Sequence, residues 1–151
     1  REMNQCYPIL IAEDDENDAI ILQRAFRKVG MNNPFHISNH GEDVLRYLKG
    51  EHPYEDRQKF RFPRVLITDL KMPGMDGFEL LEWLQQHPEC NVIPRIVLSA
   101  SNQEADVKKA YALGANAYMT KPAAFDDLVR MIKLTIDYWT MCDKPPLPVK
   151  C

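Results

Sequence analysis

The chain has 151 residues, 45% of them hydrophobic and 27% charged, with a net charge of −3. That suffices for one domain with a real core and is too little for two ordinary ones. The mild negative balance gives no electrostatic case for nucleic acid or an anionic membrane, no apolar run approaches a membrane span, and no signal-peptide pattern opens the chain, so a cytoplasmic protein is expected.

From the amino terminus, Pro8 to Ala12 is a short apolar run that stops abruptly at Glu13-Asp14-Asp15. It predicts a buried strand that delivers acids at its carboxyl end. Ile21, Leu22, Ala25, Phe26 and Val29 then recur with helical period, which predicts a first helix with Asp15 as a cap and Gly30 as its stop. Phe35 to Ser38 predicts a second, weakly patterned strand. Gly41 to Lys49 predicts a helix with Val44, Leu45 and Leu48 inward, ended by Gly50. Residues 51–63 are polar and charged, with Pro53 and Pro63, and predict a long surface loop. Val65 to Thr68 runs apolar and β-branched without alternation, the mark of a strand buried on both faces.

Asp69 ends that strand. Met72-Pro73-Gly74 and Asp76-Gly77 then require a turn, since proline lacks an amide donor and glycine tolerates positive φ. A third helix is predicted from Gly77 to His87, with Phe78, Leu81 and Leu84 inward. Pro94 to Ser99 predicts a fourth strand, with Ser99 and Ser101 at its end. Gln103 to Leu113 predicts a fourth helix, capped by Ser101 or Asn102 and stopped by Gly114. Ala117 to Thr120 predicts a fifth strand ending at Lys121-Pro122. The fifth helix places Phe125, Leu128, Val129, Ile132, Ile136 and Trp139 on one face, and the three prolines of 144–151 cannot continue it. Cys6, Cys90, Cys142 and Cys151 form no CxxC pair and read as reduced thiols.

Five βα repeats predict an α/β fold, a doubly wound, flavodoxin-like five-stranded parallel sheet of order 2-1-3-4-5. One domain is expected over 1–151, with a core of about 8–141 and a Pro-rich tail, 142–151. In such a sheet all carboxyl ends share one edge, where ligands bind. Glu13, Asp14, Asp69, Ser99 and Lys121 then share that edge. Singly, each has a bland reading: Asp69 as a turn or capping residue, Asp14 or Asp15 as a cap, Ser99 as a turn residue, Lys121 as a solvated lysine. Together they suggest more. Three carboxylates repel, and one lysine cannot neutralise them, so a divalent cation is expected; oxygen ligands without Cys or His point to Mg²⁺. A cation, a lysine and a hydroxyl suit the holding of a phosphoryl group on Asp69, one partner for each equatorial oxygen. No glycine-rich phosphate loop indicates a nucleotide site.

The motifs ILIAEDD, ITDLKMPGMDG, IVLSAS and AYMTKP, in this order, resemble the response-regulator receiver domain of two-component signalling, over Pro8 to about Met141. The resemblance implies Asp69 as phosphoacceptor and Glu13 with Asp14 as the acid pair. It implies Mg²⁺ held by Asp14, Asp69 and the Lys71 carbonyl, with Glu13 acting through water. It further implies Ser99 as switch hydroxyl, Tyr118 as switch aromatic and Lys121 as the phosphoryl-binding lysine. Asp15 lies outside the pair and is given the capping role. The hydroxyl is Ser where Thr is frequent, and the loop at 51–63 is longer than in minimal receivers. That loop and the long fifth helix resemble stand-alone regulators paired with phytochrome-type kinases.

The expected function is that of a single-domain response regulator and not an enzyme, beyond its own phosphorylation and dephosphorylation. It takes a phosphoryl group from a phosphohistidine of a partner histidine kinase and shifts a face formed by helix four, strand five and helix five. After Met141 too few residues remain for an output domain, so output by contact with a downstream protein, or a relay step, is expected. Tyr138, Trp139 and Met141 are expected as apolar surface supporting a homodimer through that face. The alternative for Trp139 is that it folds back beneath the Pro145-Pro146 tail. Three competing functions are an aspartate-nucleophile phosphohydrolase, which needs an acid where Lys71 stands, a phosphorylation-independent interaction module, and a domain of a hybrid kinase.

Overall fold

The computed structural model describes residues 8–29 and 35–151. Its elements alternate: β1 (Ile9–Ala12), α1 (Glu16–Lys28), β2 (Phe35–Ser38), α2 (Gly41–Lys49), β3 (Val65–Thr68), α3 (Gly77–Gln85), β4 (Arg95–Ser99), α4 (Glu104–Ala112), β5 (Ala117–Thr120) and α5 (Phe125–Met141). The five strands are parallel in the order β2-β1-β3-β4-β5. The doubly wound fold expected from the βα alternation is therefore the one observed.

Successive strand residues face opposite sides, so each strand feeds two cores. Leu10, Ala12 and Leu66 point to α2 and α3, where they meet Val44, Leu48, Leu80 and Leu84. Ile9, Ile11, Val65, Ile67, Ile96 and Leu98 point to α1 and α5, where they meet Leu22, Phe26, Leu128, Ile132 and Ile136. Val97 meets Leu70, Leu81 and Ala110 in a smaller cluster beneath α4. Each Val, Leu, Ile or Phe among them, when fully buried, contributes about 1.5 to 3 kcal/mol.

Helix ends match the sequence closely. Asp15 caps α1 and its side chain accepts from the Asp18 N–H at 2.9 Å. Gly50 closes α2 in the left-handed region at φ 67°. Asp76 and Glu79 form a reciprocal capping box at α3. Gly30, the expected stop of α1, lies outside the described residues.

Several expectations need correction. Ile21 is 40% exposed, because it sits about 100° round the helix from the buried stripe of Leu22, Ala25 and Phe26. The N-cap of α4 is Gln103, without a side-chain bond; Ser101 instead accepts from the Gln103 N–H and donates to Asp106. The 51–63 segment is the expected surface loop, but it is anchored in a way not expected: Tyr54 and Phe62 are buried, and His36, Tyr47, Tyr54 and Phe60 stack edge to face. Its aromatics carry no period, so pattern reading missed them.

Cys90 and Cys151 are not free thiols but a disulfide, with Cα atoms 5.7 Å apart. The tail brings them together. After α5 it turns back under the sheet, Arg64 donates to the Pro145 carbonyl, Arg57 to the Val149 carbonyl, and the Cys151 N–H to the Leu48 carbonyl. Trp139 is half-buried against the α1–α5 core and borders a small cavity with Pro145 and Leu147. Of the two readings of Trp139, folding back beneath the tail is the one found. Tyr138 and Met141 stay exposed.

Candidate site at the carboxyl edge of the sheet

Register brings the site together. Ala12 pairs with Thr68 and Ser99 with Thr120, so the residues just beyond these strands lie side by side. The ladder also continues past the strand ends: the Glu13 N–H donates to the Ser38 carbonyl, the Asp69 N–H to Ala12 and the Lys121 N–H to Ser99, at 2.7–3.0 Å. The backbone thus fixes where these three side chains start.

The Lys121 ammonium lies at the centre. Its three N–H donors reach Glu13 Oε1 at 2.8 Å, Asp18 Oδ2 at 2.8 Å and Asp69 Oδ2 at 2.9 Å. Burial opposes the positive charge of Lys121, but hydrogen bonds to Asp18, Glu13 and Asp69 outweigh it and raise its pKa. Burial pushes the Glu13 carboxyl up to about 7, against the hydrogen bond and charge of Lys121 and the Asp15 N–H. The second Asp69 oxygen, Oδ1, accepts from the Leu70 N–H at 2.6 Å, and the Thr68 hydroxyl ties down the Asp69 carbonyl at 2.7 Å.

Glu13, Asp14 and Asp69 each offer an oxygen within 4.8 Å of the others. Among the described residues no hydrogen bond reaches the Asp14 carboxylate. Asp14 lines an open cleft with Lys71, Met72, Pro73 and Asp76. An all-oxygen donor set with free carboxylate valence, open to solvent, fits a hard cation such as Mg²⁺ that keeps several waters.

Ser99 is buried at the same edge, yet its hydroxyl bonds neither Lys121 nor Asp69; it accepts from the Ser101 N–H at 3.1 Å. Tyr118 is half-buried against the Leu70–Val97 cluster and donates through its hydroxyl to the Ser101 carbonyl at 2.7 Å. Ser101 thus links the two. The turn carrying Lys71 is held from α2, where Glu42 accepts from the Met75 N–H at 3.0 Å.

Sequence reasoning missed Asp18. Nothing in the sequence singled it out, since an acid in the first turn is commonplace on any helix.

A 2-1-3-4-5 parallel sheet that gathers acids and a lysine on its carboxyl edge defines a receiver-type α/β domain. The family described as the response regulator receiver domain matches residues 9–133. The probable methanogenesis regulatory protein FilR2 of Methanothrix harundinacea is 31% identical over 147 residues, 97% of this chain and 92% of its own. Response regulator Rcp1 of Synechocystis is 30% identical over 138 residues, covering 91% of this chain and 92% of its own; a Mn²⁺-bound form of response regulator Rcp1 superposes with a TM-score of 0.80 at 28% identity, over 93% of this chain and 99% of that one. Response regulator RPA3017, in red light signaling of R. palustris, superposes with a TM-score of 0.87 at 30% identity, over 93% of this chain and 99% of its own. This chain belongs to the response regulator receiver domain family.

Proposed function

We propose that this chain is a single-domain response regulator that accepts a phosphoryl group on Asp69 from the phosphohistidine of a partner histidine kinase. The observation that carries this reading is the Lys121 ammonium bonded at once to Glu13 and Asp69, beside an Asp14 carboxylate within 4.8 Å of both. As an Asp69 oxygen bonds to phosphorus, the P–N bond breaks and its electron pair stays on the imidazole nitrogen. Asp14, Asp69, the Lys71 carbonyl and, through water, Glu13 would hold Mg²⁺, which when bound offsets charge on the phosphoryl oxygens. Lys121 exchanges an Asp69 contact for a phosphoryl oxygen, and Ser99 turns its hydroxyl to donate to another. That turn frees the Ser101 N–H, and Ser101 is also where Tyr118 bonds, so the change passes to α4, β5 and α5.

The coverage of FilR2 and Rcp1 supports output through a downstream protein partner, and the part of RPA3017 in red light signaling supports a kinase of a red-light pathway, of the phytochrome type, as the donor. A homodimer through the α4–β5–α5 face finds support in the exposed Tyr111, Leu134, Tyr138 and Met141. Incubation with acetyl phosphate and Mg²⁺ tests the reading. Wild type should gain one phosphoryl group, EDTA or Asp14→Ala should suppress the gain, and Asp69→Asn should remove it. Undiminished uptake in Asp69→Asn would refute the assignment.

A further inference from the structure

An ammonium has three donors, and Lys121 spends all three on carboxylates. Two of those acids, Glu13 and Asp69, are nearly buried, at 2% and 11% exposed; the third, Asp18, is 41% exposed and stands on the solvent side of Lys121, which is itself 17% exposed. Asp18 therefore comes from a different element, α1, and approaches from a different direction.

A comparison of two helix starts shows that its orientation is not the ordinary one. In α3 the acid three residues past the N-cap, Glu79, turns back and accepts from the Asp76 N–H, closing the capping box. In α1 the acid at the same position is Asp18. The Asp15 side chain accepts from its N–H, but the Asp18 carboxylate does not turn back. It reaches across to Lys121 instead, and the Asp15 N–H is satisfied by Glu13 Oε2 at 3.1 Å. The box is left open on one side so that Asp18 can hold the lysine.

We infer that Asp18 is a positioning residue: it anchors the Lys121 ammonium from the α1 side and thereby sets the rate at which Asp69 takes a phosphoryl group. The inference rests on the phosphoacceptor reading above. When the phosphoryl group arrives, Lys121 must release Asp69 and meet a new oxygen. With Glu13 and Asp18 both retained, the nitrogen keeps its place and its third donor keeps its direction. Without Asp18 the ammonium is held at one point and wanders toward water.

Direction separates this from two simpler roles. Asp18 as a bare negative charge would repel an anionic phosphodonor, so its removal would speed phosphorylation whether or not Lys121 is present. Asp18 as a mere favourable charge at the helix start would affect stability and not rate. The test measures the initial rate of phosphorylation by acetyl phosphate in wild type, Asp18→Asn, Asp18→Glu, Lys121→Ala and the Asp18→Asn/Lys121→Ala double variant. It also records the exchange-protected ammonium signal of Lys121 by ¹⁵N NMR. Asp18→Asn should slow the rate about threefold, Asp18→Glu should recover part of it, and the double variant should match Lys121→Ala. The protected ammonium signal should weaken in Asp18→Asn. A faster rate in both backgrounds, an unchanged rate with lower stability, or an unchanged ammonium signal overturns the inference. If wild type takes up no phosphoryl group, the phosphoacceptor reading fails and the rate claim with it, while the ammonium signal still decides for or against the anchoring.

Discussion

At Asp69 both carboxylate oxygens already have a donor, the Leu70 N–H on one and Lys121 on the other, so the side chain has little rotational freedom. An aspartate held this way is pre-oriented, which in the proposed phosphoryl transfer would spare entropy at the moment of reaction. Glu13 behaves differently. Burial holds its carboxyl near 7, above its ordinary 4.5. A carboxyl whose folded pKa is raised adds stability that is complete below 4.5 and is lost as the pH climbs through about 7. In a cation-free buffer, wild type should therefore lose ground to Glu13→Gln as pH rises from about 5 to about 8, measured as the gap between their urea midpoints. A gap that stays constant over this range would contradict the assignment. Most of these residues were readable in the sequence because each ends a strand. Asp18 was not, because its partner is more than a hundred positions away and a first-turn acid is commonplace on any helix.

Among the elements, the β3–α3 turn follows Asp69 at the carboxyl edge of the sheet and lines the cleft beside it. Gly77 lies so close beneath it that a Cβ would collide with the Asp69 carbonyl oxygen and stand 2.8 Å from Leu70 Cα. Its own N–H donates to the Leu70 carbonyl at 2.8 Å. Neither neighbour can yield, since both are backbone. Gly77→Ala should cost about 1 to 3 kcal/mol in chemical unfolding and weaken Mg²⁺ binding as well; full stability would show that the turn has room to spare. The tail is the element least visible in the sequence. Its prolines announced only the end of α5, whereas the return path depends on Arg57 and Arg64, two residues that look like ordinary surface charges. The disulfide closes a separation of 61 residues, for which the chain-entropy argument gives about 4 kcal/mol. Cys151→Ser should lower the melting temperature under non-reducing conditions and bring no further loss in dithiothreitol. Equal melting of both proteins without reductant would mean that the clasp adds nothing.

Over the whole molecule, strand order and the presence of helices on both faces were legible because the βα alternation and uninterrupted apolar strands leave few right-handed topologies. The anchors of the loop at 51–63 were not legible for the opposite reason: its aromatics pack by shape on α2 and β2, with no repeat to betray them. The same sheet that orders the fold also delivers the chemistry, since five parallel strands end on one edge and the acids, hydroxyl and lysine stand at or just past those ends. The central claim is therefore about one oxygen on one residue, and covalent mapping tests it most directly. The protein is treated with acetyl phosphate and Mg²⁺, the acyl phosphate is reduced with borohydride, and the peptides are sequenced by mass spectrometry. Conversion of Asp69 to homoserine, dependent on Mg²⁺ and lost in Asp69→Asn, is the expected result. Homoserine at Asp14 or Glu13, or no conversion while wild type binds Mg²⁺, would contradict the account.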